Sequence, residues 1–209
     1  MFKSLAKDLS GTADICTTLT DLRKSLANDY LLPGEQVLFS FQSAKEEFAF
    51  TNEALITVKG ENATTTRKLV RRYAWRNYLV TYVQFETTGR VDRDCEIKFM
   101  IGKDDEISID IAKKEEQAVK KYYKALLALQ REQEKRRYDL SFSSVGMKNV
   151  AATVRMDGLR LTDAEPAAPT PEAFGPLGSQ ASHVLQYLQR DFEKLNSRCY
   201  RDVLVAALR

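Results

Sequence analysis

Between Glu35 and Ala112 the chain carries seven short segments of strand character, each set off from the next by a tight turn. Gln36 to Phe41, Glu47 to Thr51, Ala54 to Val58, Thr64 to Arg72, Leu79 to Thr88, Asp94 to Ile101 and Glu106 to Ile111 follow one another at a spacing of roughly ten residues. Thr51-Asn52-Glu53, Gly60-Glu61-Asn62, Gly89-Arg90 and Gly102 to Asp105 supply turn chemistry between them. Strands joined so closely pair antiparallel, because a parallel crossover needs roughly a dozen residues or more. Seven such strands form a sandwich or close into a barrel. At Lys113 the period becomes helical. Val119, Tyr122, Tyr123, Leu126, Leu127 and Leu129 mark an apolar side as far as about Arg137, with Asp110 as the expected N-cap. A sheet of this size closed at one end by one amphipathic helix predicts an α+β fold: a pleckstrin-homology-like (PH-like) seven-stranded antiparallel β-barrel capped by a C-terminal helix, plus a helical extension.

The flanking segments divide the chain further. Residues 1–28 read as a helical N-terminal segment, with Phe2, Leu5 and Leu9 at helical spacing and then Ile15, Leu19, Leu22 and Leu26. The PH-like domain is expected over 29–137, a helical extension over 138–161 and an amphipathic helix over 179–209. Between the last two lies a linker, 162–178, holding Pro166, Pro169, Pro171 and Pro176. Two amphipathic stretches joined by a linker, one through Phe142 and Val145, the other through Phe192, Leu195 and Leu204, cannot bury both faces alone. They predict packing on each other, on the core or on another subunit, with a helical hairpin that contributes to self-assembly as the favoured form.

Composition narrows the function. Lys and Arg number 32 against 29 Asp and Glu, a net charge of +3, too balanced for a nucleic-acid coat protein. No apolar run approaches the roughly 18 residues needed to span a bilayer. Cys16, Cys95 and Cys199 are odd in number and scattered, as reduced cytoplasmic thiols would be. One histidine, His183, precludes a multi-histidine zinc site within one chain. No phosphate-binding glycine loop or nucleophile elbow is present. The expectation is a protein that is not an enzyme and needs no cofactor or metal.

Two residue groups stand out as contact sites. Arg67, Lys68, Arg71, Arg72 and Arg76, with Trp75 and Tyr73 among them, form a basic stretch suited to phosphate or anionic lipid. The plainer reading is cross-strand pairing of these arginines with the acids after Gly89. Glu86, Asp92, Asp94 and Glu96 form an acidic group in which the last three alternate along one strand face, a pattern suited to a subunit interface.

Three stretches resemble a known family. They are Glu46-Glu47-Phe48-Ala49-Phe50-Thr51-Asn52-Glu53-Ala54-Leu55-Ile56, the run from Val83 to Phe99 around Glu86-Thr87-Thr88-Gly89, and Ile107 to Ala112 followed by the helix Lys121 to Leu129. With the opening Met1 to Ala6 they resemble the bacterial-type PH-like domain family, in the form that carries a YvbH-type C-terminal oligomerisation extension. The likeness covers roughly residues 1–130. It implies the PH-like fold, homo-oligomers and no enzymatic activity. The resulting expectation is a cytoplasmic interaction or scaffold module that self-assembles through strand edges and the helical extension. The alternative is a peripheral module that binds anionic membrane lipid through the basic stretch.

Overall fold

The computed structural model describes residues 14–60, 67–87, 94–160, 186, 189, 190, 192 and 194–209, with side chains at 147–160 set aside. Its contacts divide the chain into two units, Met1–Gln133 with Arg198–Arg209, and Glu134–Ser197. In the first unit the strands are β1 (Thr17–Thr18), β2 (Val37–Gln42), β3 (Glu46–Thr51), β4 (Ala54–Gly60), β5 (Lys68–Ala74), β6 (Val80–Glu86), β7 (Asp94–Ile101) and β8 (Asp105–Ala112). They form an antiparallel five-stranded sheet, β1-β2-β3-β4-β5, and an antiparallel three-stranded sheet, β6-β7-β8.

The expected closed barrel of seven strands is therefore corrected to eight described strands in two sheets. The extra strand comes from the segment read as helical through Ile15, Leu19, Leu22 and Leu26. Instead of a continuous α-helix it holds β1 and two short 3-10 turns, Leu22–Lys24 and Leu26–Tyr30. The residues around Cys16 join the two sheets at one corner. Thr17 and Thr18 pair with Gln42 and Phe41, while Cys16 bridges Ile111 in parallel fashion. The Cys16 N–H donates to Asp110 O at 2.7 Å and the Ala112 N–H to Cys16 O at 3.0 Å. On the other side β5 pairs with β4 and β6 with β7, and no ladder joins β5 to β6. There β6 slips register between Thr81 and Gln84, and Tyr82 adopts φ 53. Such an irregularity discourages the bare edge from templating indiscriminate pairing.

The core follows from period-two alternation. Phe39 and Phe41 oppose Phe50 and Phe48, so all four rings project from one face of the larger sheet. Phe39 stacks on Phe50 at 4.4 Å, and Tyr122 stacks on Phe39 at 4.9 Å. Cys95, Ile97, Phe99 and Ile101 with Ile107, Ile109 and Ile111 give the smaller sheet its buried face. Helix α1 (Glu116–Arg160) begins after a 3-10 turn at Lys113–Glu115 and inserts Val119, Tyr122, Ala125, Leu126 and Leu129 into this core. Each buried side chain of this size contributes about 1.5–3 kcal/mol relative to exposure. Gln133 closes the seam with polar bonds: its carbonyl accepts from the Val80 N–H, and its amide donates to Trp75 O and Tyr78 O. Asp110, expected to cap this helix, lies within β8, and the residue before the 3-10 turn is Ala112.

The outer face of the larger sheet carries a second cluster. Ala49, Ala54, Ile56 and Val58 are covered by Ala27 and Leu26 of the second 3-10 turn. Glu47 holds that turn in place. Its buried carboxylate accepts from the Ser25 hydroxyl, from Leu26 N–H at 2.7 Å and from Ser40 Oγ at 2.8 Å. Gly34, at φ 83, lets the chain turn from this cover into β2.

The C-terminal stretch expected as one helix over 179–209 contains a non-helical step at residues 196–200. Beyond it, α2 (Arg201–Leu208) belongs to the first unit. Tyr200 and Leu204 are buried in the main core, and the Tyr200 N–H donates to Asn52 O at 2.8 Å. The expected N-terminal helix of residues 1–9 and the linker at 162–178 lie outside the described residues.

Candidate functional site

The basic stretch separates into buried and exposed parts. Strand alternation puts Leu69, Arg71 and Tyr73 on one face of β5 and Lys68, Val70 and Arg72 on the other. Arg72 Nη1 lies 2.7 Å from both carboxylate oxygens of Glu35, whose side chain is completely buried. Thr51 Oγ1 at 2.5 Å and the Leu32 N–H at 3.0 Å also donate to that carboxylate. The pairing reading is thus right for Arg72, but its partner is Glu35 rather than the acids after Gly89. Trp75 is 0% exposed, lies 6.3 Å from Phe50 and donates its indole N–H to Thr51 O at 2.9 Å. It is a core residue and presents no ring to a ligand. Tyr73 is buried edge-on to Tyr78. Arg67, Lys68, Arg71 and Arg76 stay exposed, beside Leu69 at 55% exposure. Hydrogen bonding to Tyr73 raises the Arg71 pKa further.

The acidic group is better ordered than its one-strand spacing suggests. Ladder register places Glu86 opposite Glu96, and Glu96 opposite Asp110, so three carboxylates cross the outer face of the smaller sheet in one row. Asp94 stands one outward position along β7, and Asp92 lies outside the described residues. Lys98 answers this row, 2.6 Å from Glu96 and 3.9 Å from Glu86. Partial burial opposes ionisation of Glu96, but the bonds from Lys98 and the Ser108 hydroxyl outweigh it and hold its pKa below the usual value. Asp110 is pushed the other way, by burial first and then by Glu96, Asp94 and Glu46. Among the described residues no three of His, Cys, Asp and Glu are grouped to hold a metal ion. Asp110 is the member that sequence reasoning missed. Its signal was the alternation Ile107, Ile109, Ile111, which sends Asp110 to the solvent face.

A raised carboxyl pKa has a defined consequence for stability. Between its ordinary value and the raised one, the native state binds more protons than the unfolded state, so stability falls as pH rises through that window. Above it the destabilisation is fully present. Asp110→Asn is therefore expected to raise Tm at pH 7, with the gain disappearing below the ordinary carboxylate range. Thermal melts across pH check this, and an equal effect at both ends would contradict it.

The two buried thiols, Cys16 and Cys95, are poorly suited to nucleophilic chemistry. Burial, with the Glu46 charge next, pushes Cys16 up to about 12, and burial, with Glu116 next, pushes Cys95 up to about 11.

The chain thus combines a two-sheet fold, an inserted helix, an outer acidic row and a half-buried basic strand. The Bacterial PH domain family model matches residues 6–130. The chain belongs to the bacterial PH domain family. It is similar to the uncharacterised protein YvbH of Bacillus subtilis (strain 168), with 38% identity over 133 residues, which is 62% of this chain and 65% of that one. The match thus spans just under two thirds of that relative. A crystal structure of a PH domain-containing protein from Exiguobacterium sibiricum 255-15 superposes with a TM-score of 0.75 at 28% identity, covering 94% of this chain and 100% of that one.

Proposed function

We propose that this bacterial PH-domain protein is a non-enzymatic interaction module that associates with copies of itself through its helical extension. The observation that carries this reading is a stripe in the second unit. Tyr138, Phe142 and Val145, at helix positions i, i+4 and i+7, are 72%, 73% and 55% exposed. Three large apolar side chains in line on one helix face are costly to leave in water, and contiguous exposed patches of this kind mark association surfaces. Phe192, 48% exposed, adds to the apolar surface of the same unit. The row of Glu86, Glu96 and Asp110, together with Asp94, is suited to setting the orientation of association through charge. Phe142→Asp is expected to lower the mass of the assembly without changing the melting of the PH domain. Size-exclusion chromatography with light scattering checks it, and an unchanged mass would contradict it.

A second reading is peripheral binding to anionic lipid. It is favoured by the exposure of Arg67, Lys68, Arg71 and Arg76 next to Leu69. No helix among the described residues is long and apolar enough to cross a membrane. In this reading Lys68→Ala with Arg71→Ala weakens sedimentation with phosphatidylglycerol vesicles by about tenfold or more, and raised salt does the same. Binding that ignores both changes would remove this reading. Neither reading calls for a cofactor or a nucleic-acid partner.

A further inference from the structure

A cavity of about 380 Å³ opens in the first unit where the segment after β1, strand β2 and helices α1 and α2 meet. Leu22, Leu38, Phe39 and Leu208 contribute its apolar wall, and the buried ring of Tyr122 continues it. Its polar contributors are few. Thr18 and Thr20 stand on one side, and Lys121 is the sole charged residue of the lining. The Lys121 ammonium lies 4.9 Å from the centroid of the Tyr122 ring, which sets a positive charge directly beside the apolar wall. Thr18 is held in place by its N–H, which donates to Glu115 Oε2 at 2.7 Å. Its hydroxyl is closed off from solvent and meets no hydrogen-bond partner.

An apolar wall and one cation together select a particular chemistry. The wall favours a hydrocarbon chain, and Lys121 favours an anionic head. The volume falls at the lower end of the range for small-molecule sites, about 300–1,000 Å³, which suits a single chain of medium length. We propose that this cavity binds a free single-chain carboxylate amphiphile, with the carboxylate at Lys121 and the chain along Leu38 and Phe39. Its lining shares no residue with the basic strand β5 or with the stripe on the extension. It also gives the docking of α2 a role, since Leu208 supplies part of the wall.

Titration of the full-length protein with sodium decanoate below its micelle concentration tests this. The expected result is saturable binding of one decanoate per chain. Lys121→Glu should weaken it by about fivefold or more, the scale of reversing one exposed charge. Thr20→Trp, which puts a bulky ring into the lining, should abolish it. Both positions are exposed, so both variants are expected to melt like the parent. Decyltrimethylammonium, of equal chain length and opposite charge, should bind at least about fivefold more weakly. Absence of saturable decanoate binding to the parent would overturn the proposal. So would equal affinity for the two head groups, unchanged affinity in Thr20→Trp, or binding to phosphatidylglycerol vesicles without binding to free decanoate.

Discussion

Arg72→Ala is expected to lower the unfolding free energy by about 3–5 kcal/mol, the cost of leaving a buried carboxylate without its counter-charge. Glu35 has no exposed side-chain surface and turns both oxygens toward Arg72 Nη1. The remaining donors, Thr51 Oγ1 and the Leu32 N–H, are neutral. Removing the guanidinium leaves the buried Glu35 carboxylate without its counter-charge and loosens the turn before β2. Urea denaturation of the single variant beside Glu35→Gln/Arg72→Met distinguishes a paired charge from general packing. The double variant should recover most of the loss, because two neutral groups of similar shape remove the unpaired charge. If Arg72 served only as a surface ligand contact, Arg72→Ala would leave stability within about 0.5 kcal/mol of the parent.

The second large effect concerns the far end of the chain. Leu204→Ala is expected to cost about 2–5 kcal/mol, the range for emptying a fully buried leucine site. Leu204 is 0% exposed and lies in the same cluster as Phe39, Phe41 and Tyr122. If the extension and the last helix served assembly alone, a chain lacking residues 131–209 would keep a folded core. In this structure such a truncation also removes Tyr200 and the three hydrogen bonds of Gln133. The truncated chain should therefore melt well below the parent. Leu204→Ala melting within a degree of the parent would show that α2 does not stabilise the core.

What was legible in the sequence was set by alternation. Phe48 and Phe50 two residues apart, and the Ile107, Ile109, Ile111 series, fix both the strands and their buried faces. The helical period at Val119, Tyr122, Leu126 and Leu129 fixes the inserted helix. What was not legible depends on contacts distant along the chain. Ile15, Leu19, Leu22 and Leu26 have helical spacing, but Cys16 can satisfy its backbone against Asp110 and Ile111, and that pairing wins over local periodicity. Trp75 sits among cations in sequence, yet its indole nitrogen finds Thr51 O inside the fold. Glu35 gives no sign on its own of being the partner of Arg72. The row of Glu86, Glu96 and Asp110 needs the register of three strands, and spacing along one strand shows a single member of it per strand.

We propose that this bacterial PH-domain chain works as an assembly of copies joined through its extension. The most direct measurement is the molar mass of the full-length protein by light scattering across a concentration series reaching tens of micromolar. A mass of at least two chains that falls in Phe142→Asp is expected. A mass of one chain, 23.8 kDa, at every concentration would contradict it.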